Sequence, residues 1–182
     1  MSRSLLSCLA ACLPLTLTAA VGAEEPLAIN YVGVTPRLDT SGQPSQSALE
    51  TLPELGIDIV INLAPPTSRD AVATEGKLVS ASGITYVNIP VDWQNPTERD
   101  FDLFSGIMQS AGDRHVLVHC QANMRASVFT FLYRVVHEHV PPDEAFEAVR
   151  KVWIPRDQWA TFGERVLEDN GVAFRFPAAA AQ

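Results

Sequence analysis

The spacing of apolar residues along this chain switches repeatedly between alternation and intervals of three and four, the signatures of strand and helix. Ala28 to Val34 alternates and reads as a first, edge strand. Thr40-Ser41-Gly42-Gln43-Pro44 reads as a turn, and Ser45 caps a helix faced by Ala48, Leu49, Leu52 and Leu55, with Gly56 at its left-handed end. Ile57 to Leu63 is a buried strand broken by Ala64-Pro65-Pro66. A helix is expected from about Asp70 to Ala81, ended by Gly83, and a strand from Ile84 to Val91. Thr97 and Asp100 form a capping box that opens a helix faced by Phe101, Phe104, Ile107 and Met108. His115 to His119 is a strand with a wholly apolar centre, Val116-Leu117-Val118. From Arg125 the helical period returns with Val128, Phe129, Leu132, Val135 and Val136. Pro141-Pro142-Asp143 starts one more helix, and Pro155 the last, faced by Trp159, Phe162 and Val166.

Strands alternating with helices on short loops predict an α/β fold: a central, mostly parallel sheet of four to five strands with helices on both faces. In such sheets ligands gather beyond the C-terminal strand ends. Two loops carry reactive side chains there, one beginning at Asp92 and one at Cys120.

The N-terminus changes the picture of where the domain begins. Arg3 precedes an apolar run from Leu5 to Leu17, and small residues through Ala23 precede Glu24-Glu25. That is the order of a secretory signal cleaved after Ala23, so export to a bacterial periplasm is expected. A lipoprotein box at Leu9-Ala10-Ala11-Cys12 ranks second, because it strands the apolar residues behind it. The run is too short for a stable membrane span. A single domain is expected over residues 24–177, with a disordered tail at 178–182. The leader holds one basic residue and no acid, so a charge of −8 becomes −9 on cleavage. That balance argues against a nucleic-acid partner. Cys8 and Cys12 leave with the leader, so Cys120 has no cysteine to pair with.

The sequence around Cys120 gives it a chemical use. Val116-Leu117-Val118-His119 delivers the thiol, Gln121-Ala122-Asn123-Met124 forms a loop, and Arg125 opens a helix. Amides of a tight loop and a helix N-terminus converge on an anion and favour thiolate over thiol. Arg125 supplies a planar, always-charged fork suited to two phosphoryl oxygens. The loop has no glycine, and Asn123 is the residue best suited to a left-handed turn.

This His-Cys-loop-Arg segment resembles the signature of cysteine-dependent tyrosine and dual-specificity phosphatases, and most closely the bacterial phosphatase-like branch with a shortened loop. The resemblance extends to Thr40-Ser41-Gly42-Gln43-Pro44, Gly56 before Val60-Ile61-Asn62-Leu63, and Ile89-Pro90-Val91-Asp92. It implies hydrolysis of a phosphorylated substrate through a cysteinyl-phosphate, without metal or other cofactor. Cys120 would be the nucleophile, Arg125 the clamp, and residues 121–124 the anion cradle. His119 would orient the loop. The loop is one residue shorter than the usual signature, and Ala126 stands where a hydroxyl usually follows the arginine, with Ser127 next. The same spacing also matches rhodanese-type sulfurtransferases, which carry a persulfide on the cysteine. A phosphate-binding relative without turnover, and an envelope protein with a buried structural cysteine, complete the alternatives.

A leaving alcohol needs a proton, and Asp92 is the candidate donor, since it follows a strand onto the same sheet edge. The alternative is that Asp92 only starts a turn. Asp100 and Asp102 serve the start of the next helix. Trp93 either flanks a substrate or covers the core. Trp153, Trp159 and Phe162 read as core. His137 and His139 fall on different faces of one helix and His115 is isolated, so no metal site is expected. Neither the substrate nor the oligomeric state is legible.

Overall fold

The computed structural model describes residues 27–178. The expected leader, the lipoprotein alternative at Cys12 and the tail beyond residue 178 lie outside the described residues.

The elements run β1 Val32–Thr35, β2 Leu38–Ser41, α1 Gln46–Thr51, β3 Ile59–Asn62, α2 Glu75–Ala81, β4 Thr85–Asn88, α3 Glu98–Ala111, β5 Val116–His119, α4 Met124–Val136, α5 Pro142–Arg150 and α6 Asp157–Asp169. The five strands form one sheet in the order β1-β2-β5-β3-β4. Only β1 runs antiparallel, against β2; the other pairings are parallel. The expected α/β fold is therefore present, with β5 at the centre of its sheet.

Central position explains the composition of β5. Both of its neighbours are strands and both its faces are covered, so all four of its residues are buried. Its side chains alternate: Val116, Val118 and Cys120 join the large core beneath α3 to α6, while Leu117 joins a smaller core with Leu49 and Leu52 of the α1 segment and Val79 of α2. In the large core Phe129 of α4 meets Phe101, Phe104, Trp159 and Phe162.

The register levels the four parallel strands at their C-terminal ends. Ser41 pairs with His119, His119 with Asn62, and Asn62 with Asn88. Each of these strands ends on a polar residue, so a polar row crosses the sheet edge where ligands of parallel sheets collect.

Local chemistry sets the boundaries. Ser45 caps α1 through a bond from the Ala48 amide at 3.1 Å. Gly56 and Gly83 take the left-handed conformation that lets each short helix turn into the following strand. The capping box expected at α3 is complete, with Thr97 and Asp100 bonding each other's backbone amides. Replacing Thr97 with alanine should lower stability by about 1 kcal/mol, read as a shifted urea midpoint.

Several expectations need correction. Residues 38–41 form a strand, not the start of a turn, and all four are buried because β2 pairs with β5. The alternation credited to Ala28 onward begins as strand only at Val32. Leu55 lies beyond α1 and is exposed, so it is not part of that helix's core face. Helix α2 starts at Glu75 rather than near Asp70, because Asp70 takes a positive φ of 70°. His139 lies outside α4 with a φ of 56°, so the two-apart argument about His137 and His139 does not describe one helix. Among the described residues no group of His, Cys, Asp or Glu could hold a metal ion, and no helix is long and apolar enough to cross a membrane.

Candidate active site

Strand β5 ends at His119, and the next residue, Cys120, continues its alternation into the large core. The thiol is only 1% exposed, so it forms the floor of the loop rather than its rim. Its amide donates to the Ser41 carbonyl at 3.2 Å, which keeps the loop's first residue in register with β2.

The turn from strand to helix falls on Asn123, whose φ of 66° is left-handed, as the sequence expects of a glycine-free loop. Asn123 is fully buried, and its side-chain amide donates to the Asn30 carbonyl at 2.6 Å and to Thr40 Oγ1 at 3.0 Å. Asn30 in turn donates from Nδ2 to the Ala122 carbonyl at 3.0 Å, and the Gln43 amide donates to the Gln121 carbonyl at 3.2 Å. The carbonyls of residues 121 and 122 are thus taken by donors outside the loop. Each trans peptide carries its N–H on the side opposite its C=O, so neither carbonyl is left to repel an anion seated on the loop.

Gly42 makes this bracing possible. Its amide donates to the Ile29 carbonyl at 2.8 Å, and an added Cβ would lie 2.9 Å from that oxygen and 3.0 Å from the Gln121 carbonyl oxygen. No side chain fits there without moving the loop. Asn30 was not read from the sequence as a site residue, and an asparagine in a loop gives no sequence signal for this role. Asn30→Ala removes one neutral hydrogen bond, the one to the Ala122 carbonyl, and should lower stability by about 1 kcal/mol, read as a shifted urea midpoint.

Arg125 in the first turn of α4 is 7% exposed. Its Nε donates to the Val91 carbonyl at 3.1 Å, and its guanidinium carbon lies 5.3 Å from the Trp93 ring centroid. The two terminal nitrogens have no acceptor among the described residues and are free for a ligand. Arg125 therefore joins the two candidate loops, since Val91 directly precedes Asp92. The Asp92 segment is anchored again at Trp93, whose carbonyl accepts from Trp159 Nε1 at 3.0 Å and Gln158 Nε2 at 3.1 Å. Trp93 also packs on Trp153 and Trp159, so it covers the core and backs the arginine. Asp92 itself is exposed; one of its carboxylate oxygens accepts from the Gln94 amide at 2.9 Å. It also lines a surface groove of 460 Å³ with Asn95, Arg99 and Leu103.

The hydroxyl of Ser127 turns away from this chemistry: it donates to the Met124 carbonyl of its own helix at 3.1 Å. Ser127, the displaced hydroxyl whose role the sequence leaves open, thus bonds within its own helix. Gln121 and Ala122 are half-buried loop residues, whereas Met124, expected in the loop, is the half-buried first residue of α4.

His119 is fully buried, with Nε2 facing Glu75 Oε1 at 2.6 Å. The other Glu75 oxygen accepts from Gln43 Nε2 and Asn62 Nδ2, both at 3.1 Å. Burial, and then the Glu75 charge, push the Tyr86 phenol above its ordinary range, against a smaller opposing bond from Asn62. Glu75 was missed in the sequence. Its signal was present, because an acid stands four residues before Val79 on the buried stripe of α2.

A structure of a DUF442 phosphatase-like protein from Shewanella putrefaciens CN-32 is 35% identical, with a TM-score of 0.72, over 79% of this chain and 94% of that one. The chain belongs to the DUF442 family of phosphatase-like proteins. Two more distant structures share the fold of this DUF442 chain. The core catalytic domain of the PP-IP phosphatase SIW14 from S. cerevisiae, in complex with citrate, is 17% identical over 79% of this chain and 94% of its own, with a TM-score of 0.62. Kinase associated phosphatase, with its catalytic-site cysteine changed to serine, is 15% identical over 84% of this chain and 100% of its own, with a TM-score of 0.67. No family model and no curated protein matches the chain.

Proposed function

We propose that this DUF442 protein is an exported phosphatase that hydrolyses a phosphomonoester through a cysteinyl-phosphate on Cys120. The observation that carries the reading is the loop itself, with a strand-borne thiol at its floor, two carbonyls turned outward, and Arg125 lodged beside it with its terminal nitrogens free. The phosphatase names of its structural neighbours support the reading, as does the catalytic cysteine of kinase associated phosphatase.

In the first step the Cys120 thiolate attacks phosphorus and the bond to the leaving oxygen breaks, while Asp92 gives that oxygen its proton. Arg125 and the loop amides hold the remaining oxygens as charge redistributes. In the second step water attacks phosphorus, Asp92 accepts its proton, and the sulfur–phosphorus bond breaks to return the thiolate and release phosphate. No metal enters either step.

The test is turnover of aryl phosphates of graded leaving-group acidity by the wild type and Asp92→Asn. Loss should be slight for an acidic phenol and about a hundredfold or more for a poor leaving group. An equal loss across the series would remove Asp92 from the acid role. The four-residue loop favours one second reading, a sulfurtransferase; thiocyanate release from thiosulfate and cyanide, with no ester hydrolysis, selects it. Export predicts a mature protein whose first residue is Glu24, checked by N-terminal sequencing of the envelope fraction. An intact Met1 end there would refute cleavage.

A further inference from the structure

We propose that Glu75 is a positioning residue, whose buried carboxylate holds the Cys120 end of the loop through His119 and Gln43. The proposal rests on Cys120 being the reacting thiol, but adds a residue outside the loop and the acid segment.

Glu75 is 3% exposed and lies on the opposite face of the sheet from the Cys120 side chain. Two amide donors and the His119 ring meet on it, the ring by a close contact that lacks hydrogen-bond geometry. His119 Nε2 faces one oxygen, while Gln43 Nε2 and Asn62 Nδ2 share the other. No lysine or arginine pairs with it among the described residues. A desolvated carboxylate is costly unless its surroundings compensate it, so the two amide bonds on one oxygen and the His119 contact on the other hold these three side chains together.

The donors are not equivalent. His119 immediately precedes Cys120 in the chain, and the backbone amide of Gln43 holds the Gln121 carbonyl on the other side of the thiol. The carboxylate thus fixes both flanks of residue 120 from beneath. Asn62 ties the same group to the central sheet, and its own Oδ1 accepts from the Ala64 amide at 2.8 Å. Gly76, directly after Glu75, lets the helix approach the Tyr86 ring, since an added Cβ would lie 3.0 Å from it. That contact seats the first turn of α2 against β4.

Glutamine at position 75 keeps the size but loses one acceptor. Its NH2 either replaces the oxygen that faces the His119 ring or meets the amides of Gln43 and Asn62 donor to donor. Aspartate keeps both acceptors but falls one methylene short.

The experiment measures alkylation of Cys120 by iodoacetate alongside kcat on p-nitrophenyl phosphate, in Glu75→Gln, Glu75→Asp, His119→Gln and the Glu75→Gln/His119→Gln double variant. Folding is followed by melting temperature. Glu75→Gln should slow alkylation and kcat by about tenfold or more in protein that remains folded, and Glu75→Asp should recover part of both, as expected of a lost hydrogen bond to a charged group. Because Glu75 acts partly through His119, the double variant should lose less than the product of the single losses. Wild-type alkylation and turnover in folded Glu75→Gln, or fully multiplicative losses, would overturn the proposal. Should Glu75→Gln fail to fold, Glu75→Asp and His119→Gln decide: both slowed supports it, and either at wild-type rate overturns it. Alkylation needs no phosphatase activity, so a Glu75-dependent thiol in a protein inert to phosphate esters would sink the functional reading and leave this one standing.

Discussion

Cys120→Ser should abolish turnover of p-nitrophenyl phosphate, by at least about a hundredfold, while leaving the fold and phosphate binding intact. The change exchanges one small atom at a buried site, so the large core that includes Cys120 keeps its packing. The bonds that shape the loop come from Asn30, Gln43 and Asn123, none of which uses the sulfur. What is lost is nucleophilicity, because an alcohol ionises far less readily than a thiol in the same field. The check is a steady-state rate beside phosphate binding by calorimetry. Loss of binding together with rate would show that the thiol holds the loop rather than attacking, and retained rate would remove Cys120 from the mechanism.

Arg125→Ala should cost as much or more, about a hundredfold to a thousandfold in kcat/KM. Two functions disappear at once. The terminal nitrogens no longer hold phosphoryl oxygens, and the Val91 carbonyl loses its donor at 3.1 Å. The second loss frees the segment that carries Asp92. Arg125→Ala should therefore blunt the effect of Asp92→Asn, giving a double variant less impaired than the product of the singles. Lysine should restore little, since a point ammonium cannot offer a planar fork while also donating to Val91. Independent, multiplicative losses would mean that the arginine and the acid segment do not work together.

The parts of this site that were legible in the sequence were those whose side chains repeat a pattern. The apolar run Val116-Leu117-Val118 placed the thiol at a strand end, and the helical period after Arg125 placed the guanidinium in a first turn. Asn123 was legible because a glycine-free loop needs one residue that tolerates positive φ. Strand β2 was not, because Leu38-Asp39-Thr40-Ser41 is polar for a strand that ends up buried. Its burial comes from pairing with β5 and from partners far away in sequence, such as His115 on Asp39 at 2.8 Å and Asn123 on Thr40. Glu75 left only the trace of an acid on the buried stripe of α2, because a charged side chain reads as surface until its partners from separate parts of the chain are seen to meet it. Ser127 stayed ambiguous for the opposite reason: a hydroxyl beside a reactive loop looks useful, and in the fold it donates to the Met124 carbonyl of its own helix.

The residue that carries the phosphoryl group is the central question, and trapping it answers most directly. The protein is mixed with a fast aryl phosphate, quenched in acid within the first turnover, digested and read by mass spectrometry. The account predicts one added phosphoryl group on the peptide containing Cys120, absent from Cys120→Ser. A label on another residue, or added sulfur on Cys120 in its place, would contradict it.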